Sequence, residues 1–170
     1  MAPEPARVVL LMGVSGAGKS TIGRRLAAAL GWPFHDADDF HPPENIQKMS
    51  AGIPLNDTDR HPWLLAIRQR IDDYLTQSTP AIFTCSALKA SYRDLLLADT
   101  RNIELVYLKG TEALLRERLE QRQGHFMPPE MLRSQLDTLE TPEHALEVDI
   151  AQSPARIVRQ IVRRLGLERT

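Results

Sequence analysis

The residues with the clearest chemical meaning form a glycine-rich run near the N-terminus, Gly13-Val14-Ser15-Gly16-Ala17-Gly18-Lys19-Ser20, followed by Thr21. The run matches G-x-x-x-x-G-K-[ST] and stands between an apolar segment and a helical pattern, as a phosphate-binding loop does. Glycines let the backbone curl so that its N–H groups face a phosphate, and the following helix start adds partial positive charge. Lys19 can then reach the β- and γ-phosphates, and Ser20 can hold Mg²⁺. The motif predicts a nucleoside triphosphate site formed by residues 13–21.

Two carboxylates follow the second apolar segment, at Asp36 and Asp38. In an extended chain, residues two apart lie on the same face, so the two groups are expected to point into one site. We expect Asp36 to bind Mg²⁺ directly or through water, and Asp38 to accept a proton from an attacking hydroxyl or to orient it. Each residue is alternatively a solvated turn acid or a helix cap.

Cationic and hydrogen-bonding side chains follow the second and third apolar segments: His41, Lys48, Arg60, Lys89 and Arg93. If a phosphoryl group of the nucleotide is transferred, these residues are candidates for binding its acceptor. Arg60 can bind a substrate carboxylate through two hydrogen bonds, or it can pair with a neighbouring aspartate. Arg93 is a candidate for the acceptor's carboxylate or for its transferred phosphate. His41 is alternatively a helix cap, and the two lysines are alternatively solvated.

A second group of cations lies further along the chain. Arg118 and Arg122 are four apart on a predicted helix and therefore share a face. The run Gly124-His125-Phe126-Met127-Pro128-Pro129 then interrupts the helical pattern. Together they predict a mobile lid over about 118–135, which would bring Arg118 to the nucleotide and Arg122 to the substrate and exclude water. A basic solvated face with an ordinary loop is the alternative. The loop 150–154 is a candidate border for adenine or a plain connection.

Short strands alternate with helices along the whole chain, which predicts a three-layer α/β sandwich with a mainly parallel sheet. The predicted strands are Arg7–Met12, Pro33–Asp36, Ala81–Cys85, Ile103–Leu108 and Leu146–Ile150. The predicted helices are Gly18–Leu30, Pro42–Ser50, His61–Thr76, Ser91–Ala98, Glu112–Arg122, Glu130–Leu139 and Pro154–Leu165. Because ligands of such sheets bind beyond the carboxyl ends of the strands, we expect the site after Met12, Asp36, Cys85 and Leu108.

Composition excludes several classes of protein. The 170 residues are typical of one domain, and 21 basic against 22 acidic residues give a net charge of −1. This balance argues against a nucleic-acid partner, and the nine aromatic residues argue against a base-stacking surface. The single cysteine, Cys85, is expected to be a buried small side chain of a reduced protein. Since we find neither a leader nor an apolar run of about 20 residues, we expect no membrane association and a cytoplasmic location.

Within phosphate-loop proteins, the sequence favours a small-molecule kinase. A GTPase typically carries D-x-x-G and N/T-K-x-D, and a transporter ATPase carries an L-S-G-G signature; none of these patterns occurs in this sequence. Two alternatives stay open on the residues alone: a kinase for a shikimate-like acceptor, and an ATP-binding module that contacts a protein partner without catalysis.

The chain resembles the small bacterial-type gluconokinases over nearly its whole length. The most specific shared segments are Pro54-Leu55-Asn56-Asp57-Thr58-Asp59-Arg60 with Pro62-Trp63-Leu64, and Cys85-Ser86-Ala87-Leu88-Lys89 with Tyr92-Arg93-Asp94. Further shared segments include Asp36–Pro42, Asn45–Met49, Val106–Gly110 and Gly124–Phe126. Ala37 departs from the glycine that many members carry. Shikimate kinases and nucleoside-monophosphate kinases are similar at a greater distance.

The resemblance implies ATP-dependent phosphorylation of D-gluconate at its 6-hydroxyl, with ATP and Mg²⁺ as cofactors. It also implies a five-stranded parallel sheet, a lid and a homodimer. We expect one kinase domain over residues 1–170, with the acceptor-binding region at about 38–76 and the lid at about 118–135.

Overall fold

Five parallel strands form the centre of the fold in the computed structural model, which describes residues 7–98, 101–122 and 129–170. They are β1 (Val8–Met12), β2 (Phe34–Asp36), β3 (Ala81–Thr84), β4 (Ile103–Lys109) and β5 (Leu146–Asp149). Their order in the sheet is β2-β3-β1-β4-β5, and every neighbouring pair is parallel. The predicted five-stranded parallel sheet is therefore confirmed, with each strand within two residues of its predicted bounds.

Helices cover both faces of the sheet. They are α1 (Lys19–Leu30), α2 (Pro43–Ser50), α3 (Asp57–Thr76), α4 (Ala90–Leu97), α5 (Glu112–Glu120), α6 (Pro129–Thr138) and α7 (Pro154–Leu165). A 3₁₀ turn over Ala37–Phe40 follows β2. Among the described residues, no helix is both long and apolar enough to cross a membrane.

The two faces of the sheet carry two separate hydrophobic clusters, so the architecture is the predicted three-layer sandwich. The central strand β1 supplies Val9 and Leu11 to the cluster with α1, α5, α6 and α7. Its alternate residues Val8, Leu10 and Met12 belong to the cluster with α3 and α4. Because β1 is buried on both faces, it is apolar throughout instead of alternating with polar residues. This packing fixes the carboxyl end of β1, where the phosphate-binding motif begins.

Three helix ends follow from local sequence. Gly31 ends α1 with a left-handed φ of 70°, as its position after the helical pattern predicts. Ser153 caps α7 by accepting a hydrogen bond from the Arg156 N–H. Asn56 and Asp59 cap α3 reciprocally, since each side chain accepts from the other's backbone N–H. The first two ends were predicted correctly and the third was missed.

Two helix bounds differ from prediction by two residues or more. The reciprocal cap starts α3 at Asp57 instead of His61, so Pro62 lies inside the helix. The helix α5 ends at Glu120 and not at Arg122, so Arg122 lies just beyond the helix that carries Arg118. The predicted helix therefore does not extend to Arg122, although both arginines line one cavity.

Candidate active site

The phosphate-binding motif forms the loop between β1 and α1. Its backbone enters the left-handed region at Gly16 and Gly18, where φ is 87° and 89°. A Cβ atom at Gly16 would lie 3.0 Å from Leu119 Cγ and 3.2 Å from the Leu115 carbonyl oxygen. Glycine at position 16 therefore allows both the turn of the loop and its close approach to α5.

The ammonium group of Lys19 lies over the first half of this loop. It donates to the carbonyl oxygens of Gly13 at 2.8 Å and Val14 at 3.2 Å. Burial lowers the pKa of Lys19, and the positive charge of Arg122 acts in the same direction. The carboxylates of Asp36 and Asp38 oppose this shift. The structure thus brings Lys19, Arg122 and both aspartates into one electrostatic environment.

Asp36 joins the phosphate loop to the end of β2. Its Oδ2 accepts a hydrogen bond of 3.1 Å from Ser20 Oγ, and its Oδ1 accepts one of 2.9 Å from the Asp38 backbone N–H. Two oxygen-bearing side chains of the kind that Mg²⁺ prefers are therefore neighbours at this position. The strand ends at Asp36, however, and the chain turns into a 3₁₀ helix. The expected reason for the closeness of Asp36 and Asp38, strand alternation, is wrong; the cap that Asp36 makes brings them together.

The carboxyl group of Asp38 has a perturbed acidity. Its partial burial raises the pKa above the ordinary value, and the nearby Asp36 adds to the shift, although the residue as a whole is exposed. His41 and Lys19 pull the pKa in the opposite direction. A carboxylate that is destabilised in this way accepts a proton more readily than a solvated one.

A cavity of about 190 Å³ lies beside the phosphate loop. Its loop side includes Gly16, Gly18 and Thr21, and Arg118 and Arg122 both line it. Arg118 also donates a hydrogen bond to the Ile150 carbonyl oxygen. The remaining lining residues, beyond Ala17 and Ile22, come from the segment after β5: Gln152, Pro154 and Ile157.

The three residues after β5 were not identified individually from the sequence. Only the loop 150–154, which joins the last strand to the last helix, was singled out as a candidate border for adenine. Gln152 has a carboxamide whose Nε2 donates to Asp149 O and to Gln160 Oε1. The sequence signal that could have identified Gln152 is its polar side chain in the loop before the capped helix α7.

A group of charged side chains, the Asp57 cluster (Asp57, Arg60, Lys89 and Tyr92), lies at the start of α3 and the start of α4. Lys89 Nζ is 3.1 Å from Asp57 Oδ1, and Arg60 is 3.8 Å from the same oxygen. Tyr92 donates to Asp57, and Arg60 NH1 donates to Tyr92 Oη at 3.3 Å. Tyr92 and Lys89 thereby lower the pKa of Asp57. The cluster brings Arg60 and Lys89 together, as a shared acceptor site requires.

His41 and Lys48 occupy the neighbouring surface on α2 and the residues before it. The His41 ring stacks on Trp63 at a centroid distance of 4.4 Å, and its Nδ1 lies 3.2 Å from Asn45 Nδ2. Burial lowers the pKa of His41, which favours the neutral ring. Lys48 Nζ donates to both carboxylate oxygens of Asp59 at 2.9 Å. Trp63 and Leu64 belong to the core.

Arg93 has a different environment from the other cations. It is 6% exposed, and its guanidinium donates to the carbonyl oxygens of Ala87, Leu88 and Glu140. These contacts join α4 to the segment after α6. They give Arg93 a structural role instead of the acceptor-binding role expected from the sequence.

Cys85 is buried at the carboxyl end of β3, as predicted. Burial raises the pKa of its thiol to about 12, which makes it an unreactive side chain. Residues 123–128 of the predicted lid lie outside the described residues. On either side of it, the structure describes Arg118, Arg122 and α6.

Chemically, the described site combines a phosphate loop, two carboxylates and two groups of cations. Such a set is suited to in-line phosphoryl transfer between a nucleotide and a polar, anionic acceptor. The loop supplies the nucleotide half of the reaction, and the Asp57 cluster lies on the side of the sheet that carries α3 and α4.

Comparisons with known proteins agree with this chemistry. A protein-family model described as an AAA domain matches residues 8–142. A gluconokinase of Gluconobacter oxydans is 42% identical over 165 residues, covering 95% of this chain and 93% of that protein. A probable gluconokinase of Dictyostelium discoideum is 43% identical, covering 93% and 86%. A solved gluconokinase structure from Sinorhizobium meliloti is 48% identical, with a TM-score of 0.83 and coverage of 95% and 92%.

Proposed function

The chain belongs to the gluconokinase family, and from that premise we infer that it transfers the terminal phosphoryl group of ATP to gluconate. We propose the 6-hydroxyl of D-gluconate as the acceptor and one kinase domain that holds both substrates. The observation that supports the proposal is that Asp36 and Asp38 lie beside the phosphate loop. Asp36 accepts a hydrogen bond from Ser20, and both carboxylates raise the pKa of Lys19.

The nucleotide half of the proposed site consists of residues 13–21 and the cavity beside them. We place the triphosphate on the loop and the adenine end toward Gln152 and Pro154, because these residues line the same cavity as the start of α1. Lys19 would leave the Gly13 and Val14 carbonyls to reach the phosphates. Arg118 and Arg122 face the same cavity and would supply further positive charge to the bound phosphates.

The acceptor half consists of Asp38, His41 and the Asp57 cluster. Gluconate has one carboxylate and several hydroxyls, so its site requires a few cations and many hydrogen-bonding groups. Arg60 and Lys89 provide the cations within one cluster, and the neutral His41 ring provides a hydrogen-bonding edge. Asp38 orients the attacking hydroxyl and accepts its proton, a role that its raised pKa supports.

Lys48 has a less direct place in this proposal. Its ammonium is held by both oxygens of Asp59, the residue that also caps α3. For Lys48 to contact the acceptor, a hydroxyl of the acceptor would have to accept a hydrogen bond from the same ammonium group, which has three N–H donors.

A release assay for ADP tests the function. We expect rapid ADP release with gluconate, and little release with shikimate, with other sugar acids or without an acceptor. A preference for shikimate would contradict the proposed acceptor. Equal release without any acceptor would contradict phosphoryl transfer to a sugar acid.

Replacing Arg60 with alanine is expected to raise the KM for gluconate at least about tenfold, because a charged hydrogen-bond donor to the substrate carboxylate is lost. The KM for ATP should change less than about twofold, since the nucleotide lies on the phosphate loop. Steady-state kinetics with each substrate varied in turn measure both values. The exposed Arg159→Ala on α7 serves as the matched control. Equal increases in both KM values in Arg60→Ala would indicate a structural arginine.

We propose that Ser20 and Asp36 hold Mg²⁺, because their oxygens are adjacent and Mg²⁺ prefers oxygen donors. When bound, the ion neutralises charge on the phosphate oxygens. Ser20→Ala removes one of these donors and the hydrogen bond to Asp36. We therefore expect the Mg²⁺ concentration for half-maximal activity to rise about tenfold.

A Mg²⁺ titration of the wild type and Ser20→Ala at saturating substrates measures this change. Ser50→Ala, at the exposed end of α2, is the control and should titrate like the wild type. An unchanged midpoint in Ser20→Ala would exclude Ser20 from the metal site.

A homodimer remains a proposal that the family resemblance implies. Three large apolar side chains at and after α2 support it, since Ile46, Met49 and Ile53 are each about half exposed. The molar mass of the protein in solution, measured by light scattering, tests it.

A further inference from the structure

Gln135 on α6 makes two hydrogen bonds with Ser15 in the phosphate loop, 120 residues away in sequence. The Ser15 backbone N–H donates to Gln135 Oε1 at 2.8 Å. Gln135 Nε2 donates to Ser15 Oγ at 3.0 Å. A carboxamide has one acceptor end and one donor end, and here both are used by the same loop residue. The side chain is therefore held in one orientation against the loop.

The helix α6 is fixed independently of this pair. Leu132 on the same helix is 1% exposed and lies in the hydrophobic cluster that contains Val14 and Ala17. Beyond the helix, Glu140 N–H donates to Leu88 O at 2.8 Å, and the Glu140 carboxylate accepts from the Ala90 N–H at 2.7 Å. Packing and these hydrogen bonds thus hold Gln135 next to the phosphate loop.

Ser15 lies between two parts of the phosphate loop that have different contacts. Immediately before it, Gly13 and Val14 hold the Lys19 ammonium. Immediately after it, the residues from Gly16 onward line the cavity assigned to the nucleotide. Since the lysine of this motif reaches the β- and γ-phosphates, Ser15 adjoins the end of the nucleotide from which the phosphoryl group leaves.

The two bonds to Gln135 leave Ser15 with one free donor. Its N–H is used, and its oxygen accepts from Gln135, whereas its hydroxyl hydrogen has no acceptor within the parts of the chain that the structure describes. We propose that Gln135 is a positioning residue for phosphoryl transfer: it fixes Ser15 so that the Ser15 hydroxyl donates to the terminal phosphoryl group of the bound triphosphate. The proposal rests on the proposed kinase function and deepens it.

Nucleotide binding gives the first test, because ADP lacks the terminal phosphoryl group. In Gln135→Ala, the Kd for a non-hydrolysable ATP analogue should rise about fivefold, as for the loss of a hydrogen bond. The Kd for ADP should stay within about twofold of the wild type, because its remaining phosphates have the other loop donors. Ser134→Ala, the exposed neighbour on α6, is the control and should change neither value.

Kinetics of a double-mutant cycle give the second test. Gln135→Ala and Ser15→Ala should each lower kcat about tenfold with little change in the KM for gluconate. Because Gln135 is proposed to act through Ser15, the double variant should be no slower than Ser15→Ala. Thermal unfolding of all variants separates this effect from a loss of folded protein.

Three results would overturn the role of Gln135: equal loss of ADP and ATP-analogue affinity, multiplicative loss in the double variant, or unchanged kcat in Gln135→Ala. Failure of the proposed function has a different signature, namely a wild-type protein that releases no ADP with gluconate. The binding comparison still decides the role of Gln135 in that case.

Discussion

Lys19→Ala is expected to lower kcat for gluconate phosphorylation about 10³-fold, which is the size of effect seen when a preorganised charge on a transition state is removed. Lys19 is the cation of the phosphate loop, and its ammonium already lies over Gly13 and Val14 at the end of the loop nearest the transferring group. Without it, the negative charge that develops on the phosphoryl oxygens loses its nearest protein partner. The rate of ADP release at saturating ATP and gluconate measures the loss.

The fold should survive this substitution. Because desolvation lowers the pKa of Lys19, its charged form is less favourable in the folded protein than in the unfolded chain. Removal of the charge should therefore leave the unfolding midpoint at neutral pH no lower than in the wild type. Lys109→Ala at the exposed end of β4 is the matched control and should retain full turnover. Near-normal turnover in Lys19→Ala would contradict the assignment of the whole active site.

Asp38→Asn is expected to lower kcat about 10³-fold, within the range for removal of a general base, while nucleotide affinity is retained. The amide keeps the shape of the side chain but cannot accept the proton of the attacking hydroxyl. Measurements of kcat and of the Kd for ADP separate the two effects. Asp39→Asn is the control, since this exposed neighbour has no assigned role. A change confined to ATP affinity would refute the role of Asp38.

The pH dependence follows from the raised pKa of Asp38. Phosphoryl transfer needs the ionised form, so the wild-type kcat/KM for gluconate should fall on acidification with an apparent pKa above the ordinary 3.8 of aspartate. For stability the sign is opposite: a carboxyl whose pKa is higher in the folded state binds protons more tightly there, and its contribution is lost as pH rises. At neutral pH, Asp38→Asn should therefore unfold at a higher temperature than the wild type, with a smaller difference below pH 3.8.

Much of the fold was determined by local sequence. Continuous apolar runs such as Val8–Met12 form strands buried on both faces, and alternation with helices forces parallel pairing. The phosphate loop could be predicted equally well, because a nucleotide phosphate is bound by consecutive residues whose spacing is fixed along the chain. The family followed from segments such as Cys85–Lys89, which are specific in order and not only in composition.

The start of a helix was harder to predict from the sequence where two local signals compete. Pro62 favours a helix beginning next to it, whereas the reciprocal cap of Asn56 and Asp59 starts the helix at Asp57, four residues before the predicted start at His61. The cap satisfies two backbone donors at once, and the helix that it starts continues through Pro62.

Only the tertiary structure decided the partners of the charged and polar side chains. Arg93 and Arg60 are both arginines in family segments, yet Arg93 binds three backbone carbonyls and Arg60 lies beside Asp57 in an accessible cluster. Gln135 carries no motif, and its contact with Ser15 spans 120 residues. Hydrogen bonds require donor and acceptor within about 3 Å, and that distance is set by how helices pack on the sheet. The sequence therefore determined which chemistry the chain contains, and packing determined which residues meet to perform it.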